Sequence, residues 1–125
     1  MIKKDFMKEI ENSLKIVKRE VDKNIINGDV SKAKEAINNQ LKGLVGLDIM
    51  TIDTISFSSV IDIISREDEF NGEKYIALGE LLCLQGFVCQ STGDEEGQIR
   101  YYLKSIDALN EAFREDSDIE KRYFQ

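Results

Sequence analysis

The side chains of this chain with the greatest capacity for chemistry are clustered carboxylates. Three acidic clusters fall within residues 67–69, 94–96 and 115–120, and carboxylate oxygens are the ligands that calcium and magnesium prefer. The second cluster falls in the first turn of a predicted helix, where negative charge offsets the helix dipole. The third, Asp116-x-Asp118-x-Glu120, lacks the central glycine and the distal glutamate of a calcium loop. We therefore predict no metal site.

The composition excludes every mechanism that needs an imidazole. The chain has 125 residues and contains no His, Pro or Trp. It therefore cannot hold a Ser-His-Asp triad, a Cys-His pair or a Glu-x-x-His di-metal centre. Its eight glycines form neither a P-loop nor a G-x-G-x-x-G pattern. We predict that the protein is not an enzyme and binds no cofactor.

The alternative function is a small-ligand-binding domain or a weak enzyme with an internal pocket. An enzyme that uses carboxylates alone would need a second acid facing Glu80 across a cleft, because Glu80 lies within the most apolar stretch, Tyr75 to Cys89. We expect Glu80 instead to face the open side of its helix or to pair with a basic residue of the first helix. A closed apolar cavity with convergent polar groups would favour the alternative.

The two cysteines are predicted to be free. Cys83 and Cys89 are six residues apart, which on a helix separates them by about 120° around the axis and about 9 Å along it. That distance is too great for a disulfide or a shared metal ion. We interpret both as buried thiols in a reducing cytosol.

The charge distribution argues against nucleic-acid and membrane partners. Lys and Arg number 17 and Asp and Glu number 24, for a net charge of −7. Residues 1–42 carry ten basic and seven acidic side chains, which are interleaved, unlike the basic face of a nucleic-acid reader. The most apolar stretch is shorter than the roughly 20 residues that span a bilayer, and the charged start of the chain is untypical of an export signal. We predict a cytoplasmic protein.

Apolar residues recur at helical spacing along nearly the whole chain. The pattern predicts helices at about 3–26, 30–45 and 72–91, a short helix reaching about 66, and a helix after Asp94. Gly28 is expected to end the first helix in a left-handed conformation, with Asp29 capping the second, and Gly93-Asp94 repeats that turn. The other predicted N-caps are Ser56 or Ser58, Asn71, and Ser117-Asp118 for a short last helix.

The helix at 72–91 is apolar on most of its circumference, so it must be covered on several sides and forms the predicted hub. The next helix carries one long apolar stripe, formed by Ile99, Tyr102, Leu103, Ile106, Leu109 and Phe113. The prediction is a single all-α domain, a stack of antiparallel helical hairpins with five to six helices. Its parts are an N-terminal helix pair at 1–46, short helices and a linker at 47–70, and a hairpin plus a short C-terminal helix at 71–125.

The hairpin at 71–125 carries a spaced motif on its first helix. Leu82-x-x-Gln85-Gly86-x-x-Cys89 is followed by a Gly93-Asp94 turn, and Tyr102 and Ser105 take a large and a small position on the second helix. These positions resemble the tetratricopeptide repeat, in which the first motif is Trp-x-x-Leu-Gly-x-x-Tyr. Here Cys89 replaces the aromatic residue, Gln98 replaces Ala, and no Pro ends the unit.

Three further segments extend the likeness over the chain: Met1–Phe6, Gly46–Asp48 and Leu78–Leu82. With them the chain resembles an uncharacterised family of small bacterial helical proteins, a domain of unknown function with a tetratricopeptide-like C-terminal half. Members open with Met-Ile-Lys-x-Asp-Phe/Tyr, end their second helix in Gly-Leu-Asp and share a Leu-rich core helix. The resemblance implies the fold and no activity.

A tetratricopeptide-like hairpin implies a partner-binding strip along its first helix, at positions that match Glu80, Cys83, Phe87 and Gln90. The carboxylate clamp of chaperone-binding members needs Lys, Arg and Asn, which these positions lack. Phe87 and Cys83 would instead offer an apolar strip to a partner helix. The alternatives are that the apolar stripe of the first helix packs there as core, or that a second copy of the chain does.

The predicted function is therefore a protein-protein interaction or scaffold module. Its partner is another protein or itself, as a homodimer, because a stack of two or three hairpins leaves its end faces poorly covered.

Overall fold

The computed structural model describes residues 2–66 and 70–115, with side chains from Phe6 onward, and is all-α over those ranges. The elements are α1 (Ile2–Ile26), α2 (Val30–Gln40) continued by a π-helical turn (Leu41–Val45), α3 (Ile49–Thr54), α4 (Phe57–Ser65), α5 (Asn71–Ser91) and α6 (Glu95–Glu115). The predicted fold class is confirmed. The predicted start of a last helix at Ser117-Asp118 lies outside the described residues.

Two Gly-Asp turns form the hairpins α1–α2 and α5–α6. Gly28 and Gly93 have φ of +77° and +79°, a left-handed conformation that glycine adopts without steric cost. The following aspartates cap the next helices, since Asp29 Oδ1 accepts from the backbone N–H of Lys32 at 3.1 Å and Asp94 Oδ1 accepts from that of Gly97 at 2.9 Å. The predicted turns and caps are confirmed.

The segment between the hairpins is rich in β-branched residues and forms two short helices, in agreement with the short helices predicted at 47–70. Ile55 and Ser56 are extended, with ψ of 163° and 149°, so they end α3 and begin α4. Ser56 Oγ caps α4 by accepting from the backbone N–H of Ser59 at 3.2 Å. The predicted cap at Asn71 is wrong by one residue, because Phe70 takes the cap position with φ of 62° and Asn71 is the first helical residue.

The core surrounds α5, which is the predicted hub. Thirteen of its 21 residues are buried, and it contacts α1, α2, the π-helical turn, α4 and α6. The rings of Phe6 and Phe70 lie 4.6 Å apart and Lys18 Nζ lies 3.2 Å from Glu80 Oε2, so α1 and α5 run in the same direction.

The hairpin α5–α6 is packed through small residues. A Cβ at Gly86 would lie 2.5 Å from Cε1 of Tyr102, and a Cβ at Gly79 would lie 2.7 Å from Cγ of Leu109. The hydroxyl of Ser105 donates to the carbonyl oxygen of Gly79 at 2.6 Å. A Cβ at Gly79 would also lie 3.1 Å from the backbone oxygen of Ser105, so the two backbones approach each other closely there.

Half of the apolar stripe of α6 lies on the outside of the molecule. The buried face of α6 consists of small residues and one tyrosine: Gly97, Tyr101, Ser105, Ala108 and Ala112. Ile99, Leu103 and Ile106 are 59%, 57% and 54% exposed. The other three members of the predicted stripe, Tyr102, Leu109 and Phe113, are half-buried, so the stripe is divided between the packed side of α6 and its surface.

Candidate protein-interaction surface

Three of the six exposed large apolar side chains of the described residues lie along α6. We define the α6 face as the exposed Ile99, Leu103 and Ile106, together with the half-buried Tyr102 and Leu109 beside them. The three exposed residues follow steps of four and three, so they project from one side of the helix. They present on the order of 300 Å² of apolar surface, which is the size of the largest patch on a typical monomer. Such a patch is a candidate interaction site.

The predicted partner strip lies on α5 and is only partly open. Glu80 forms an ion pair with Lys18 of α1, which is one of the two outcomes expected from the sequence. The side chain of Glu80 is 18% exposed. Phe87 is half-buried and packs against the core, whereas Cys83 and Gln90 are exposed. The strip therefore offers Cys83, Gln90 and one edge of Phe87 to solvent.

The exposure of Cys83 corrects the prediction of two buried thiols. Both cysteines are free, and Cys89 is buried whereas Cys83 is exposed. At 100° per residue, Cys83 lies about 60° from Gly86, which faces α6, and about 60° from Glu80, which faces α1. It falls in the gap between the two neighbouring helices. Partial burial and the charge of Glu80 still raise the pKa of the Cys83 thiol.

The strip and the α6 face form one continuous surface. The hydroxyl of Tyr102 lies 3.4 Å from Oε1 of Gln90, and the Tyr102 ring covers Gly86. Tyr102 therefore joins the exposed part of α5 to Ile99 and Leu103 on α6. The stripe of α1 covers the Glu80 side of α5 and leaves Cys83 open, so the hypothesis that the strip is core holds only for that side.

A polar cluster fixes the other flank of α6 to α3. The hydroxyl of Tyr101 donates to Asp53 Oδ2 at 2.6 Å, and Lys104 Nζ lies 3.7 Å from Asp53 Oδ1. Arg100 stacks on the Tyr101 ring, with Cζ 4.9 Å from the ring centroid. Burial and the hydrogen bond to Asp53 raise the pKa of Tyr101 to about 12. The cluster holds α6 in the orientation that leaves the α6 face outward.

Two of the surface grooves are lined by described residues. One, of about 380 Å³, lies between α1 and α2 and is lined by polar side chains such as Glu20, Lys23 and Asn39. The other, of about 420 Å³, lies between α4 and α6 and has Phe57, Ile61, Asp107 and Glu111 in its wall. Both open to solvent, and neither is the closed apolar cavity that the small-ligand alternative requires. Within residues 2–66 and 70–115, no three His, Cys, Asp or Glu side chains are placed to hold a metal ion.

One buried acid escaped the sequence analysis. Glu73 is completely buried, and both of its carboxylate oxygens lack a hydrogen-bond partner within the described part of the chain, as does Oδ1 of Asn71. Glu73 precedes Ile76 and Glu80 by three and seven residues, which places all three on the α1-facing side of α5. That spacing is the sequence feature that could have indicated the burial of Glu73.

Comparison of the chain with protein-family models, curated proteins and solved structures gives no significant match. None of the helices in the described ranges is long and apolar enough to cross a membrane. The function must therefore be argued from the surface itself.

Proposed function

We propose that the chain is a protein-protein interaction module that self-associates as a homodimer through the α6 face. The observation that carries the proposal is the exposure of Ile99, Leu103 and Ile106, each more than half exposed, along one side of a 21-residue helix. Large apolar side chains scattered over a surface need no explanation, but an aligned row of them indicates a contact with another protein.

We also propose that the protein is cytoplasmic and that its α5–α6 hairpin is a tetratricopeptide-like repeat. Two cysteines without a disulfide support a reducing cytoplasm. The packing of Tyr102 against Gly86 and of Ser105 against Gly79 supports a tetratricopeptide-like α5–α6 hairpin. The strip at Cys83, Phe87 and Gln90, which continues the α6 face, is the proposed second contact.

The test is the solution mass by light scattering over a dilution series in reducing buffer. Wild-type protein is expected at twice the chain mass of 14.3 kDa at high concentration. Leu103→Glu should return the mass to one chain, because it places a charge in the centre of the contact. Ile16→Glu is the matched control, because Ile16 on α1 is 59% exposed and lies outside the α6 face. Monomeric wild type, or a Leu103→Glu dimer, contradicts the proposal.

The strip is tested separately with Phe87→Glu. If the strip extends the contact, this variant should weaken association while its circular dichroism spectrum stays helical. A wild-type dissociation constant for folded Phe87→Glu would exclude the strip from the interface and leave the α6 face as the whole contact.

A further inference from the structure

The exposed residues of the α6 face form a row whose spacing determines how a second copy can dock. Ile99, Leu103, Ile106 and Asn110 follow steps of four, three and four, which are the seam positions of a two-helix coiled coil. We infer that two copies pair through their α6 helices in antiparallel orientation, with Leu103 of each copy against Ile106 of the other and Arg100 of each opposite Asp107 of the other. This inference rests on the proposed function and adds the orientation and register of the contact.

The apolar contacts fix the register. When Leu103 faces Ile106 of the second copy, the twofold axis passes between residues 104 and 105, and the symmetric contact is formed twice. Ile99 then faces Asn110 at each end of the row. On the side next to α5, Tyr102 comes beside Leu109 of the other copy, so the half-buried members of the α6 face are covered as well.

Charge favours the antiparallel orientation. Arg100 and Asp107 lie on the flank of the row away from α5, and both are exposed. Asp107 forms no ion pair within the described part of its own chain. In the antiparallel register these residues lie within about two residues, or roughly 3 Å along the axis, of facing each other, which gives two Arg–Asp pairs per dimer. In a parallel pair these residues would instead lie beside Tyr102 and Leu109 of the other copy, on the opposite flank of the seam, and no Arg–Asp pairs would form.

The size of the contact predicts a weak dimer. A standard interface buries roughly 800 Å² on each partner, whereas the exposed row supplies on the order of 300 Å² of apolar surface before its flanks are counted. We therefore expect a dimer that dissociates on dilution, so the dilution series should extend from about 1 to about 300 μM.

The test is charge reversal on the flank, followed by sedimentation equilibrium at low salt. Arg100→Asp alone and Asp107→Arg alone should each weaken the dimer about ten-fold, because two attractive surface pairs become repulsive. An equimolar mixture of the two variants should restore association as a heterodimer, because one copy then carries Asp at both positions and the other carries Arg at both. The double variant Arg100→Asp/Asp107→Arg should also restore it.

The outcomes separate this inference from the proposed function. If Leu103→Glu abolishes the dimer but the mixture of single variants stays as weak as its components, the antiparallel register is wrong and the α6 face remains the contact. If wild type is monomeric throughout, or Leu103→Glu leaves the dimer intact, both proposals fail. Because Arg100 stacks on Tyr101, its substitution could lower stability, so the mixture and the double variant carry the decision. Restored association in both supports the inference, and raised salt should reduce the difference between the variants.

Discussion

Glu73 is expected to destabilise the folded protein, and Glu73→Met should raise the free energy of unfolding. Its side chain is fully buried and neither oxygen has a hydrogen-bond partner in the described part of the chain. A buried polar group left unsatisfied costs about 1–3 kcal/mol, and more when it is charged. Met has a similar length and a similar helix propensity. Loss of a negative charge from the first turn of α5 opposes the gain by about 0.3–1 kcal/mol.

The net stabilisation from Glu73→Met is therefore about 1–2 kcal/mol, which would raise the melting temperature by about 3–6 °C in a chain of this size. Urea unfolding followed by circular dichroism measures it, with the slope of the transition checked for constancy. Glu95→Met is the matched control, because Glu95 is an exposed acid in the first turn of α6. Glu95→Met should lower the free energy of unfolding by the helix-dipole contribution alone.

A Glu73→Met protein no more stable than Glu95→Met would refute the reasoning. It would mean that the buried carboxylate has a donor in the folded protein that the described residues do not supply. A bound ligand would be one such donor, and that result would revive the alternative function of a domain with an internal binding site.

Three further outcomes follow from the packing and the titratable groups. Gly86→Ala should lower the free energy of unfolding by about 1–3 kcal/mol through overpacking, whereas Gly43→Ala, where an added Cβ meets nothing within 4 Å, should not; equal melting temperatures would contradict the close α5–α6 contact. Because the folded pKa of Tyr101 is about 12, above its usual 10, its contribution to stability should be complete below pH 10 and lost as pH rises toward 12. In Tyr101→Phe the unfolding midpoint should decrease less between about pH 9 and 12 than in the wild type. An equal decrease in both proteins would contradict this role of Tyr101. A thiol reagent should label Cys83 quickly and Cys89 slowly under native conditions, and mass spectrometry showing the reverse order would contradict their exposures.

The helical pattern predicted most of the fold because local and tertiary preferences agree there. Gly28 and Gly93 end helices where the chain must turn back, and the aspartates after them cap the next helix in the structure as the sequence indicated. The hub role of α5 also followed from its composition, because a helix apolar on most sides has to be surrounded.

The sequence pattern determines less of the structure where it is compatible with more than one arrangement. Between Ile49 and Ser65 the pattern predicts short helices with a cap at Ser56 or Ser58, and the structure selects Ser56, where extended backbone at Ile55 and Ser56 separates α3 from α4. Cys83 is predicted to be buried because the residues around it in the sequence are apolar. Its exposure depends on the angular gap between α1 and α6, which no local pattern reports.

The orientation of α6 is the clearest such choice and bears most directly on function. This helix carries two faces suited to packing, a row of large apolar residues and a row of small ones that includes Gly97, Ala108 and Ala112. Hydrophobic transfer alone favours burying the whole large row, yet the structure buries the small row, and of the large row Tyr102 and Leu109 fit against the glycines of α5. Tyr101 and its bond to Asp53 then hold that rotation. Within the described residues the exposed part of the large row has no cover, and the proposed homodimer would cover it with a twofold-related α6 that presents the same side chains.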